Sequence, residues 1–494
     1  MPSINKDPVL VAGAGPAGCA VALYLAQRGI AVTVVESEES LPLDLRASTF
    51  HQPTLDLLDS LGVTERLIAE GLIAPHYQYR DRRTGEAAIF SLSIIADLTR
   101  HPYRLQCEQY KFTQAAVDML VAYPHARVLF GHRLEQLEQD SDGVTIQVET
   151  AQGGFKSLRG SYLVGADGAN SRVRKALAIN FEGFTYSERF LVVSTPFDFP
   201  EAIPGLSLVN YVSDPQEWCV VLKTPTLWRV LFPTDPDASE SVLLSDGFID
   251  DRLRHLTSRP GPFDVKHRTL YRVHQRVAAK WRSGRALLAG DACHINNPLG
   301  GMGMPGGLHD AFSLAEKLLA ILNGVGDETL LDLYERQRRG ICLQFVQEHT
   351  INNKKLMEGS RWRRSLYRDR IAWREPGYSS MRRFTTGSST DWSRSSAQCA
   401  RREGATLDAD GDRPRGDFRT RHDGPRVRHA GPRLGGGPCE RHSLRVVWQH
   451  LDARPVDRTS PGQPDPGRAG VDPLPWRRCQ QHSLRRLQAI RLGP

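Results

Sequence analysis

Residues 9–36 leave this chain few folds to choose from. An apolar run, Val9-Leu-Val-Ala12, ends in Gly13-Ala-Gly15-Pro-Ala-Gly18. A helix-length apolar stretch follows to Arg28-Gly29, and a second apolar run closes on Glu36. That order predicts a strand, a tight turn, a helix and a second strand parallel to the first. Gly13 permits the turn, Gly15 lets an anionic diphosphate come close to bare backbone, and Gly18 lets the helix pack on the strand. Ala17 sits in the same turn, and Glu36 offers a carboxylate to ribose hydroxyls. A glycine triplet alone says little. With both strands, the helix and an acid about 20 residues on, the whole pattern is that of a dinucleotide-binding βαβ unit.

Two later segments repeat the theme of a buried strand delivering an acid at its carboxyl end. Tyr162-Leu-Val-Gly leads into Asp167-Gly168 and then Ser171, Arg172 and Arg174, an acidic turn before a capped helix. Arg285 to Ala289 leads into Gly290-Asp291, followed by Pro298 and a loop holding Gly300, Gly301, Gly303, Gly306 and Gly307. Glycines at that density let backbone amides approach a flat or anionic group. Pro305 suits the first turn of the helix expected through Asp310 to Leu318, whose start favours negative charge in front of it.

In this order the three motifs resemble the FAD-dependent aromatic-ring hydroxylases, the class A flavoprotein monooxygenases of the p-hydroxybenzoate hydroxylase type, over roughly residues 8–355. The resemblance implies an α/β protein whose Rossmann-like FAD-binding domain is interrupted by a mostly antiparallel β-sheet substrate domain. It implies FAD contacts from Gly13, Gly15, Ala17, Gly18, Glu36, Asp167, Gly168, Asp291, Gly303 and Met304. Arg46 matches an arginine that approaches the FAD diphosphate, and Gln109 a flavin-contacting glutamine before a helix. Pro298, Gly301 and Met304 become the candidate catalytic wall against the flavin ring, acting mainly through backbone groups. The implied reaction uses NADPH or NADH as a transient co-substrate and O₂, through a flavin C4a-hydroperoxide, to hydroxylate a small aromatic substrate. Pro305-Gly306 departs from the family, which usually carries Asn there; one side-chain amide and one N–H are lost near the flavin.

The expected division gives residues 1–74, 106–180 and 276–357 to the FAD domain and 75–105 and 181–275 to the substrate sheet. Runs such as Leu206-Ser-Leu-Val-Asn-Tyr-Val and Trp228-Arg-Val-Leu-Phe show the β-branched and aromatic alternation of strands. His76, Tyr211, Trp218 and Arg229 are candidates to line the pocket, although such residues on a sheet are more often ordinary packing. His294 reads as a structural hydrogen-bonding residue. No second dinucleotide pattern and no Cys-x-x-Cys pair occurs, so a nicotinamide cofactor would bind only in passing. Family relatives that epoxidise or reduce an isoprenoid or polyketide, and a FAD-binding but catalytically impaired homologue, stay open as alternatives.

Eight scattered cysteines without disulfide or metal spacing, and no membrane-span-length apolar run, lead to the expectation of a cytoplasmic enzyme without a metal, and a homodimer is possible. The net charge of +8 does not belong to the enzyme part. Of 64 Lys and Arg and 56 Asp and Glu, 28 Arg and 14 acids lie beyond Gly359, and lysine stops at Lys355. The Arg/Pro/Gly-rich segment 358–494 lacks aromatic interleaving and RGG repeats, so no nucleic acid partner is expected. It reads either as a disordered extension or as out-of-frame translation of a GC-rich gene; a continuous reading frame in the source gene would exclude the latter.

Overall fold

The computed structural model describes residues 7–43 and 47–359 and the backbone of Trp448–Gln449. Arg46 and the Arg-rich segment otherwise lie outside the described residues.

A six-stranded sheet runs in the order Arg282–Ser283, Ala286–Leu288, Tyr162–Gly165, Val9–Ala12, Val32–Val35, Ala126–Leu129. Every neighbouring pair is parallel except the first, which is antiparallel. All four residues of Val9–Ala12, Val32–Val35 and Tyr162–Gly165 are buried, as parallel strands covered on both faces must be. Helix Pro16–Ala26 is buried at every position after its proline, because it lies between the sheet and the helices Gln109–Leu120 and Gly303–Leu322. The three motif strands are immediate neighbours in this sheet. Their carboxyl ends therefore open on one edge, where open α/β sheets bind ligands.

A nine-stranded sheet stands beside it, antiparallel except where Val209–Ser213 pairs with His76–Asp81. Strand alternation sorts its side chains onto two faces. Leu191, Val193, Val212, Val221, Val230 and Phe232 face the helix Asp246–Thr257 and pack on its Ile249 and Leu253. Phe190, Tyr211, Trp218, Val220 and Val273 form the other face and pack with Leu299 and Met357. Two three-stranded sheets complete the fold. One unites Thr49–Phe50, Arg104–Gln106 and Leu72–Ala74; the other holds His132–Gln139, Val144–Thr150 and Phe155–Gly160.

The helix expected from Leu330 onward runs as Thr329–Ile341, a π turn at Cys342–Val346, and Gln347–Glu358. Pro305 leaves the helix Gly303–Leu322 intact, since it occupies the first turn, where an N–H has no acceptor within the helix.

One buried ionic group ties the third motif to these helices. Asp310 is fully buried and accepts from His294 Nε2 at 2.8 Å and from Arg338 Nε at 2.8 Å. Burial alone would raise its carboxyl, but the Arg338 and His294 charges hold it below the ordinary range. His294 stacks on Trp281 at 5.5 Å between ring centroids, which makes it the structural residue expected. Because the folded-state value of Asp310 is depressed, its contribution is complete above the unfolded value near 3.8 and is lost as pH falls through the folded value. Asp310→Asn, which strands two cations, should cost about 3 kcal/mol or more in urea unfolding at neutral pH. That deficit against the wild type should shrink as both are titrated below pH ~4.

Candidate active site

The turn after the first strand is built from contacts too short for a side chain. Gly13 has φ +100°, and a Cβ there would lie 2.5 Å from the Ala166 carbonyl oxygen. A Cβ on Gly18 would lie 1.9 Å from the Gly13 carbonyl oxygen, so helix and turn are in direct backbone contact. Gly15, the residue before the helix, is different: a Cβ there would meet nothing within 4 Å. Its glycine leaves ligand space where those at 13 and 18 permit packing. Glu36 Oε2 accepts from the Ala14 N–H at 2.7 Å, which fixes the carboxylate at the mouth of this turn.

The second and third motifs are joined to the first. Asp167 Oδ2 accepts from the Arg172 and Val173 amides at 2.6 and 3.1 Å and so caps the helix Arg172–Ala176. Its Oδ1 is buried without a partner. Gly168 borders open space. Arg174 is buried and spans the gap between motifs, donating to the Ala169 and Ala292 carbonyls at 2.7 and 2.9 Å. In the third motif a Cβ on Gly290 would come 2.9 Å from the Ala17 methyl, and one on Gly307 3.0 Å from the Gly290 Cα. Asp291, between these packed backbones, is exposed.

The loop from Pro298 to Gly303 is pinned at its start and through its turn. The buried Asn297 donates to the Thr350 carbonyl at 3.0 Å, and its Oδ1 accepts the Leu299 amide at 3.1 Å. Asn353 donates to the Leu299 carbonyl at 3.1 Å. The chain then turns through Gly300, at φ +106°, and Gly301. His51 Nε2 lies 3.0 and 3.1 Å from the Gly300 and Gly301 carbonyls. Burial and the Arg104 charge push this imidazole down to about 3, so it is neutral and its Nε2 proton is shared between the two carbonyls. Gly303 faces open space, and the Gly303 and Met304 N–H groups open the following helix without intrahelical acceptors. Met304 packs partly against the core of the parallel sheet. Pro298 and Gly301 are half-buried.

The front face of the nine-stranded sheet completes the site with aromatic rings. Tyr211 and Trp218 are 5% and 2% exposed, Tyr79 stacks on Tyr211 at 4.8 Å, and Phe190 meets Trp218 edge-on at 5.3 Å. Arg229 lies on the same face, with Nη1 3.4 Å from Ser48 Oγ. His76 does not join them: alternation places it with Gln78 and Arg80, opposite Tyr77 and Tyr79. Gln109 starts its helix half-buried, with its amide on the Ala47 carbonyl at 3.0 Å. The sequence analysis missed His51, Arg104, Gln106 and the Asp310–Arg338 pair. A lone arginine in the short run Arg104-Leu-Gln106 was the one available signal.

These residues suit a dinucleotide with a flat ring. Bare backbone at Gly15, Gly168 and Gly303 leaves room, Asp167 Oδ1 is a buried acceptor awaiting a donor, and a helix start stands at the far end. The FAD binding domain family matches residues 6–349. A para-nitrophenol 4-monooxygenase from Pseudomonas sp. (strain WBC-3) is 35% identical over 363 residues, 72% of this chain and 88% of that protein. The 6-hydroxy-3-succinoylpyridine 3-monooxygenase HspB of Pseudomonas putida (strain DSM 28022 / S16) is 33% identical over 70% of this chain and 88% of its own length. The crystal structure of p-nitrophenol 4-monooxygenase PnpA from Pseudomonas putida DLL-E4 superposes with a TM-score of 0.69 at 34% identity, covering 77% of this chain and 96% of that one. A family match across most of the chain, and relatives aligned over most of their own length, agree with the three-motif edge: the chain belongs to the FAD-dependent aromatic-ring hydroxylases, and it is a flavoprotein monooxygenase.

Proposed function

We propose that this enzyme hydroxylates a phenolic ring held between the front face of the nine-stranded sheet and the Pro298–Gly303 loop, with NADH or NADPH as the reductant. The observation that carries this reading is one apolar cluster. Phe190, Tyr211, Trp218 and Val220 of the sheet pack with Leu299 of the loop, so a ring entering there meets aromatic walls beside the flavin region. Relatives named for nitrophenol and hydroxypyridine substrates support it.

FAD, when bound, supplies the redox and oxygen-activating chemistry. The chain's residues do the rest. The Gly13–Gly18 turn and the helix start behind it would receive the diphosphate, and Glu36 the ribose. Asp167 and Asp291 would take hydroxyls, and the Gly303 and Met304 amides would donate to the flavin's polar edge. His51, neutral and donating to the Gly300 and Gly301 carbonyls, orients the loop without adding charge beside the ring. The aromatic face would keep water from the ring, which would limit wasteful side reactions of the chemistry FAD supplies. Five cysteines in the described residues are free and buried, which supports a reducing cytoplasmic setting. Among those residues, no helix is long and apolar enough to cross a membrane.

Purified protein should carry a flavin absorption spectrum. A panel of phenols, 4-nitrophenol included, should stimulate NADH or NADPH oxidation and yield a product containing one atom from isotopically labelled O₂. Bound flavin with no phenol-stimulated oxidation in the panel would falsify the substrate reading.

The glycines separate ligand space from packing space. Gly15→Val should fold with the melting temperature of flavin-stripped wild type yet copurify with little or no flavin. Gly18→Ala should lower the melting temperature itself, since its new methyl meets the Gly13 carbonyl. Equal flavin content in Gly15→Val and wild type would remove Gly15 from the cofactor site.

A further inference from the structure

We propose that Gln106 is a specificity-determining residue, whose side-chain amide donates to a carbonyl or nitro oxygen carried by the substrate ring. This rests on the phenol-hydroxylase reading and adds to it a residue and a second recognised group, separate from the ring hydroxyl. Strand Arg104–Gln106 lies in the small sheet between Thr49–Phe50 and Leu72–Ala74. Leu105 and its cross-strand partner Phe50 are buried in the core of the parallel sheet at 0% exposure. Gln106 and Arg104 therefore share the opposite face with Thr49, Leu72 and Ala74. That face is the floor of the proposed pocket. Ala74 packs in one cluster with Phe190, Tyr211, Trp218 and Leu299, and a Cβ on Gly301 would lie 3.5 Å from the Thr49 Cβ. Thr49 thus marks the loop end of the floor, Gln106 its middle, and Arg104, 4.2 Å over the Tyr77 ring, its aromatic end.

Gln106 is fully buried, yet only one end of its amide is used. Its Oε1 accepts from Thr49 Oγ1 at 3.0 Å, which orients the amide and leaves Nε2 as the free end. Nε2 is closed off from solvent and has no acceptor among the described residues. The neighbours on the floor cannot supply one. Leu72 and Ala74 have no polar side-chain atom, and Arg104 brings donors alone, its own Nε being buried without a partner. A buried amide N–H without an acceptor is costly, and a ligand oxygen relieves that cost. A carbonyl or nitro oxygen suits the position: it accepts without donating, and it carries the partial negative charge that the Arg104 guanidinium favours. A hydroxyl suits it less, because its own proton would face a floor of donors. An alkyl group of the same size would leave the amide unpaired, so a floor of this kind discriminates against it.

Two phenols of nearly the same size, 4-hydroxyacetophenone and 4-isopropylphenol, separate the carbonyl from everything else at about pH 6, where both keep their proton. Binding is read from the perturbed flavin absorption of the oxidised flavoprotein, without NADH or NADPH. The wild type should bind the ketone about 10-fold more tightly than the alkyl phenol. Gln106→Leu should remove that preference by weakening the ketone and not the alkyl phenol, with flavin content unchanged. Thr49→Val, which frees the amide to turn, should reduce the preference in part. A preference that survives in Gln106→Leu overturns the assignment. So does a Gln106→Leu protein that copurifies with less flavin, since Gln106 would then serve the cofactor. If Gln106→Leu does not fold, the other two proteins decide. Equal binding of both phenols by the wild type, or an undiminished preference in Thr49→Val, overturns Gln106 while leaving the hydroxylase reading intact. Binding of neither phenol by the flavin-loaded wild type overturns the phenol reading and the assignment together.

Discussion

The cofactor edge of this enzyme depends on backbone touching backbone. The Gly13 turn rests on Ala166, the Gly18 turn of the helix rests on Gly13, and Gly307 rests on Gly290, itself packed on the Ala17 methyl. The Gly13–Ala166 and Gly290–Ala17 contacts join segments far apart in sequence, the Gly18–Gly13 contact is local, and none leaves space for a Cβ. The three motif strands are adjacent in the sheet, so their turns must share one edge, and removing side chains is the only way to bring them close enough. Arg174 then fastens the second turn to the third through the Ala292 carbonyl.

That constraint explains why this half of the site was legible. A contact that only glycine tolerates leaves a mark at a fixed spacing, and Gly13 and Gly18 could be given their packing roles before any coordinates. The buried strands before each turn, the helix through Asp310 and the alternation of the substrate sheet were legible for a similar reason, since burial periodicity is written locally. The substrate half was not. Arg104 meets Tyr77 and Tyr211 only because a three-residue strand is placed against a sheet assembled from segments more than a hundred residues apart. His51 and Gly300 are 249 positions apart. No local spacing predicts such pairs, and His76 shows the converse: one residue from Tyr77, it points to the other face.

The loop beside the flavin region is held chiefly by late parts of the chain. Thr350 and Asn353 grip Asn297 and Leu299, and Gln275 joins the same group by donating to Thr350 Oγ1 at 2.8 Å. Arg338 binds Asp310, which in turn holds His294. The helices Thr329–Ile341 and Gln347–Glu358 are therefore part of the active-site wall, although they carry none of the three motifs. Every one of these grips precedes Lys355, where lysine usage ends and the Arg-rich composition begins. The change in composition thus falls just beyond the last residue the loop requires.

Electrostatics divide the site into two tasks. On the cofactor side, charge is handled by backbone dipoles and by carboxylates anchored to amides, such as Glu36 on Ala14 and Asp167 on Arg172. His51, the ionisable side chain against the Gly300–Gly301 turn, is kept neutral by burial and by Arg104. On the substrate side a cation stands among tyrosines with no carboxylate in ion-pair reach in the described residues. Burial, and after it this guanidinium, keep His51 neutral against the loop. Arg104 stands where the small sheet meets the large one, its guanidinium 4.2 Å over the Tyr77 ring.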